Sequence, residues 1–511
     1  VPRPSGSAPP HRHTAGPLRT REELASLRPD LLDGYDAALP GARASILARL
    51  LGALDREPLP GLLSRRPGEA TFAAAPTRVT VRYPADAARP FARVASGLTA
   101  TVVGGAQIAD PRELVRLLWG DVPLAGEIDN SVANLALARA HQPAQGLPGP
   151  GDPDALGLIE QLVTDGHPLH PCCRTRGGMT VADVLAYAPE HSPVIRLRRL
   201  RVPRDRWYGQ APPILFAHPW QADRLVAKHP WLVPDGETDP VRPLMSLRTV
   251  APLDGGPHIK TAVDVQMTSA VRTVSPAAVH NGPVLSRLLR RLTADQPIEI
   301  LAEIAAGAVI VDGEPQRHLA HVLREAPQLK PGELAVPLAA VPLLTVQDPY
   351  EWMGLLAEVF FAPITRVLAR GVALEAHGQN ALVVLEDGRP TRMLYRDLGG
   401  VRVSAARLRA IGIDPPRLHG DLPSDDPAEL RTKLAAAAFG TVAAELIAAF
   451  GADDDRLWGI IARAVRATGT EDVPHLLKDP LPVKATTAMR LATDPLDDRW
   501  ALLPNPMADH A

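Results

Sequence analysis

Cysteine is nearly absent. The 511 residues hold only Cys172 and Cys173, which are adjacent. That excludes a disulfide framework and fits a reducing compartment. Neither sign of charge prevails: the formal net charge is −2. There is no basic surplus for nucleic acid and no acidic excess for a solvating tail. No uninterrupted apolar run reaches the roughly 18 residues of a membrane span. The nearest, Leu434 to Phe450, is broken by Thr441 and Glu445 and reads as a buried amphipathic helix. Aromatic residues are sparse, internal repeats are absent, and no Gly-rich phosphate loop precedes a strand lysine in the manner of kinases. Proline, at 54 residues, is abundant and argues against long uninterrupted helices in much of the chain. The length alone is compatible with about three or four domains.

Val1 to Thr14 is rich in Pro, Ser and His, lacks an apolar segment, and reads as a disordered leader rather than a signal peptide. Residues 15 to about 140 read as mostly helical, with Thr77–Tyr83 alternating like a strand. Asp110 caps a helix that has Pro111 at its first position and runs to Trp119, and a second helix is expected from Ile128 to His141. A Pro/Gly-rich stretch, Gln142 to Pro153, marks a boundary. Strands are expected over Ser192–Val202, Pro243–Val250 and Lys260–Met267. Asn281-Gly282-Pro283 then forms a turn before a helix carrying Arg287, Arg290 and Arg291. Helix dominates Glu351–Gly371, Pro427–Phe450 and Asp453–Thr468.

Three stretches carry candidate chemistry. Gly166 to Met179 contains His167, His170, both cysteines, Arg174 and Arg176. Zinc is disfavoured there, because adjacent cysteines point apart. An anion site formed by the arginines and glycine N–H groups competes with a rigid Pro-rich turn. The strand ending at Met267 delivers Thr268, Ser269, Arg272 and Thr273, short donors plus a fork-shaped cation suited to phosphate. The third is a hairpin, Ala381–Leu385 and Thr391–Asp397, around Asp387, Gly388 and Pro390. If Gly388 and Arg389 form its loop, Asn380 faces Asp397, about 5 Å away. Glu375 and His377 lie just upstream. Oxygen ligands of this kind suit Mg²⁺, against the plainer reading of a polar hairpin mouth.

Six motifs occur in order: Gly166-His-Pro-x-His-Pro-x-x-Arg-x-Arg-x-Gly, His218-Pro-Trp-Gln, Lys260 leading to Thr268-Ser-x-x-Arg-Thr, Glu375-Ala-His-Gly-Gln-Asn, Arg396-Asp397, and Lys484-x-x-x-x-Met-Arg-Leu. Together, over roughly residues 150 to 490, they resemble the IucA/IucC family, synthetases that build siderophores without a peptide synthetase template (NIS synthetases). The resemblance implies an ATP- and Mg²⁺-dependent ligase. Such an enzyme adenylates a citrate- or succinyl-type carboxylic acid, releases pyrophosphate, and joins the acid to an amine, hydroxylamine or alcohol. It implies an α+β, cupped-hand fold: a leader over 1–14, a thumb-like domain over 15–145, a fingers-like domain with an antiparallel sheet over 146–345, and a mostly helical palm with a kinase-like hairpin site over 346–511. A cytoplasmic homodimer, with no nucleic acid or membrane partner, is implied as well. Alternatives are a phosphotransferase and a catalytically retired scaffold.

By motif position, the resemblance assigns ATP to His167, Arg174, Arg176, Lys260, Ser269, Arg272, Thr273, His377 and Gln379, and Mg²⁺ to Glu375, Asn380 and Asp397. It gives the substrate carboxylate to Arg287, Gln379 and Lys484, and catalytic roles to Arg272, His377, Lys484 and Arg290. Family members usually have Lys where this chain has Arg174, which keeps the charge but not the shape and leaves the acid unidentified.

Overall fold

The computed structural model describes residues 15–510 except 75–76, 92–93, 95, 143–145, 269 and 496. The expected leader and Ser269 lie outside the described residues.

The chain is α+β. Its first part holds more sheet than expected. Five antiparallel strands, Leu62–Arg66, Glu69–Ala74, Thr77–Arg82, Ala100–Val102 and Gln107–Ile108, follow one another in sequence order. Most are too short to show alternation, so only Thr77–Arg82 was legible. Helices Leu32–Arg56 and Pro111–Trp119 pack against them, and Pro123–Ala140 packs on those two helices. The Asp110 cap forms, with its Oδ1 accepting from Arg112 N–H at 2.8 Å. The next helix starts five residues before Ile128, at Pro123.

A six-stranded sheet orders Val241–Pro243, Thr249–Pro252, His258–Thr261, Glu314–Arg324, Glu303–Val311 and Trp207–Gly209. Three expectations are corrected here. The strand expected over 243–250 is two strands joined by a turn in which Leu247 takes φ 64. The alternating run 260–267 breaks at Ala262, so its second half, Val263–Met267, pairs with Ala270–Arg272 in a separate hairpin. Asn281-Gly282-Pro283 lies inside the helix Pro276–Leu292, not in a turn. Asn281 exchanges hydrogen bonds with the His419 backbone, and Gly282 admits the Glu303 carboxylate, so tertiary packing overrides the local turn preference.

The last part is built on a mixed sheet, Ile298–Ile300, Arg389–Tyr395, Ala381–Glu386 and Glu333–Pro337, covered by helices. Two long helical stretches pass through π-helical segments, Ala357–Phe361 and Ala438–Ala443, whose Phe361 and Phe439 rings stack at 5.7 Å. The first π segment precedes Pro363, which cannot donate to the helical ladder, so proline is accommodated rather than ending the helix.

Three helical stretches, Pro29–Arg56, Pro349–Ala369 and Pro427–Phe450, are long and apolar enough to cross a membrane by length and composition. Their apolar windows are 61–72% buried within the fold. The buried clusters also cross the expected domain limits. Cys172, Cys173, Val263, Val265, Met267, Ala485 and Ala488 share one apolar cluster with residues 24–137.

Candidate active site

The hairpin turns on Asp387 and Gly388, both at positive φ (50 and 75), as a two-residue primed turn requires. The pairing therefore starts at Glu386↔Arg389, and a bulge beyond Leu385↔Pro390 shifts it to Ala381↔Tyr395. Asn380 consequently faces Arg396, whose N–H donates to Asn380 O at 3.0 Å. The expected Asn380–Asp397 register is off by one, because the turn sits one residue earlier and the bulge recovers only part of the slip. Arg396 points into the fold, donating to Glu160 Oε1 at 2.7 Å and Gln379 O at 3.0 Å.

Asp397 follows the strand in a left-handed conformation, φ 69, a costly state for a non-glycine residue. The turn aims its carboxylate at Lys260, which donates to Oδ1. Burial alone would raise the Asp397 carboxyl. The ammonium of Lys260 and the guanidinium of Arg248 outweigh it and hold the group well below the usual carboxylate range. Glu375 is treated alike: burial opposes ionisation, and the ammonium groups of Lys433 and Lys484 overcome it. Lys433 Nζ donates to Glu375 Oε1 at 2.8 Å, and Asn380 Nδ2 donates to Glu375 O at 3.2 Å. Glu375 lies against Gly400, where a Cβ would fall 1.7 Å from Oε2.

Donors converge on the same place from other segments. Burial, with His377, Arg49, Lys484 and Arg272 nearby, brings the His167 imidazole down to about 3. Burial also lowers His377, against the pull of Glu375 and Asp397. Each ring accepts a backbone N–H at Nδ1, from Leu169 and Gln379 respectively, both at 3.2 Å. The neutral tautomer so fixed carries its proton on Nε2. Arg272, lowered to about 10 by burial and by neighbouring arginines, stays charged and donates to Thr268 Oγ1. Lys484 ends the strand Leu481–Lys484 and pairs with Asp498 at 2.8 Å. Gln379 is part-buried beside His377.

Other candidates have protein partners of their own or lie exposed. Arg174 and Arg176 both bond Glu190 in a buried triad whose side chains are 3%, 1% and 0% exposed. Thr273 receives Arg317 at its hydroxyl. Arg287 and Arg290 lie on the exposed face of their helix, Arg290 paired with Glu325. Arg490, in the last of the six motifs, is part-buried against Glu127. Among the described residues no group of three or more His, Cys, Asp or Glu is placed to hold a metal. Mg²⁺ asks for less, because it keeps waters and binds phosphates. Two ionised carboxylates, Asp397 and Glu375, with the Asn380 amide, fit that demand.

Sequence reasoning missed Lys433, Asp498, Arg248, Glu303 and Gly400. Only Gly400, close behind Arg396-Asp397 in the chain, carried a local signal.

Comparison with known proteins gives a consistent pattern. Residues 156–213 and 210–342 match the IucA / IucC family model, and residues 351–511 match that of the ferric iron reductase FhuF-like transporter. Staphyloferrin A synthase of Staphylococcus aureus is 28% identical over 412 residues, 66% of this chain and 70% of that protein. Aerobactin synthase of Escherichia coli is 28% identical over 316 residues, 47% and 54% of the two chains. The petrobactin biosynthesis protein AsbB of Bacillus anthracis superposes with a TM-score of 0.78 at 18% identity, covering 94% of this chain and 98% of that one. ATP-bound aerobactin synthetase IucA of Klebsiella pneumoniae superposes with a TM-score of 0.71 at 19% identity, covering 91% and 99%. At these identities the superpositions establish the fold.

Proposed function

The chain belongs to the IucA/IucC family of NIS synthetases, and on that premise we propose that it adenylates a citrate- or succinyl-type carboxylic acid with ATP and condenses it with an amine, hydroxylamine or alcohol. The observation that carries this reading is the convergence of His167, Arg272, His377 and Lys484, from four separate segments, beside two carboxylates kept ionised.

Adenylation brings a carboxylate against a polyphosphate, and both are anionic. Cations and fixed donors must offset that repulsion and hold an in-line geometry. Mg²⁺, held by Asp397, Glu375 and Asn380, would supply charge at the phosphates. Lys260 and Arg272 bind phosphate oxygens. His167 and His377, neutral with Nε2–H outward, donate to oxygens that gain charge at the α-phosphorus. Gln379 and Lys484 hold the acid while its oxygen attacks that phosphorus and pyrophosphate departs. The nucleophile then attacks the acyl carbon and AMP leaves. No side-chain nucleophile is required, consistent with the burial of both cysteines. Arg174 and Arg176 enter this reading as the frame of the loop that carries His167. The reading extends to a cytoplasmic homodimer acting on small molecules.

The test is product analysis with Mg·ATP and candidate acids. AMP and pyrophosphate, formed only with acid present, support the ligase. ADP would favour phosphoryl transfer. Absence of any product, together with no thermal stabilisation by Mg·ATP, would favour a retired scaffold.

A further inference from the structure

A carboxylate outside every motif, Asp498, bridges two of the site's ammonium groups. Its Oδ1 lies 2.8 Å from Lys484 Nζ and its Oδ2 3.9 Å from Lys433 Nζ. Lys433 in turn holds Glu375. An isolated pair as exposed as Lys484 and Asp498 would contribute little, but the backbone fixes this one. Lys484 pairs with Trp500 across a two-stranded ladder, and Ala485 N–H donates to Arg499 O at 2.8 Å, which sets Asp498 beside the end of the opposite strand. The ladder is seated by Gly440, where a Cβ would meet Pro482 O at 2.5 Å. Lys433 is largely buried, so the bridge has one side closed to water.

Resting on the ligase reading above, we propose that Asp498 is a positioning residue: it fixes the Lys484 ammonium where the acid substrate's carboxylate is received, and ties that position to the Lys433–Glu375 pair. A long, flexible lysine side chain carries substantial rotamer entropy, and fixing it beforehand lowers what the substrate must order. The residue acts through Lys484 and need not touch the reacting atoms.

The experiment is a double-mutant cycle of Asp498→Asn and Lys484→Ala, with KM read separately for acid and for ATP. Asp498→Asn is expected to raise the acid KM about tenfold, the scale of one hydrogen bond to a charged group, and to move the ATP KM less than about twofold. In the Lys484→Ala background it should add nothing. Asp498→Glu should restore most of the loss. A wild-type acid KM in Asp498→Asn, an equal rise in both KM values, or full additivity with Lys484→Ala overturns the assignment. So does misfolding of Asp498→Asn without rescue by Asp498→Glu. Wild-type enzyme that releases no pyrophosphate with any acid contradicts the ligase reading itself, and this assignment falls with it.

Discussion

Lys433 Nζ donates to Glu375 Oε1 at 2.8 Å, from a helix 58 residues further along the chain. On its other side the same carboxylate rests on the bare backbone of Gly400. Glu375 is thus fixed by a cation and by the absence of a side chain. Neither belongs to its own motif.

Gly400→Ala tests this directly. The added methyl would overlap Oε2 and displace the carboxylate, while φ at 400 does not require glycine. Pyrophosphate release should fall about 100-fold, and more Mg²⁺ should be needed for half-maximal rate, with the fold retained. Normal Mg²⁺ dependence would remove Glu375 from the metal site.

Asp397→Ala and Arg272→Ala should each lower the adenylation rate by at least about 100-fold, the scale of losing one preorganised charge contact. Single-turnover pyrophosphate release measures it. Near-wild-type rates in either variant would contradict the site.

The hairpin, the Asp110 cap, the helices and the order of the motifs were legible because each rests on local signals: turn residues, capping side chains and periodicity. The register was missed by one residue because the turn falls on Asp387-Gly388 rather than Gly388-Arg389, and the bulge, which leaves no mark in composition, recovers only half of that slip. Lys260 was read with the phosphate strand. The structure also joins it to Asp397, 137 residues away, a contact that no local pattern signals. Arg174 and Arg176 illustrate the opposite limit. Their chemistry suits an anion, and only the fold supplies Glu190 as that anion. Lys433 and Asp498 had no local signature at all, because what selects them is the meeting of distant segments.

Glu190→Gln should destabilise the protein by about 3 kcal/mol, since it leaves buried guanidinium groups short of a counter-charge. Urea unfolding measures this. KM for ATP should change little among molecules that remain folded. A large rise in KM with unchanged stability would place Arg174 and Arg176 on the nucleotide.

Replacing both cysteines, Cys172→Ser with Cys173→Ser, should leave activity largely intact. Their sulfurs make long contacts, 3.8 Å from Cys172 to Glu127 and from Cys173 to Ser131. Loss of activity together with loss of bound zinc would revive a metal role for the loop.

Acid should destabilise the fold in a defined window. Burial holds His191, His218 and His321 at about 3, and drives His170 and His258 well below 6.5. Unfolded histidines take up protons near 6.5, so stability is complete above that pH and is lost as pH falls from 6.5 toward 3. Glu57, raised to about 7 by burial, works in the opposite sense between 4.5 and 7, and Glu303 and Asp129, also raised by burial, act in that same sense, but the buried histidines outnumber them. Melting temperature should therefore fall steadily from pH 6.5 to 4. A flat profile would contradict the buried neutral histidines.

The most direct measurement is pyrophosphate release with Mg·ATP across citrate, succinate, α-ketoglutarate and succinylated hydroxamates, each with and without a diamine or hydroxylamine. Acid-dependent release with AMP as co-product, abolished in Asp397→Ala, is the predicted result. Release of ADP, or no acid-dependent release from a protein that binds neither ATP nor acid, would contradict adenylation by this chain.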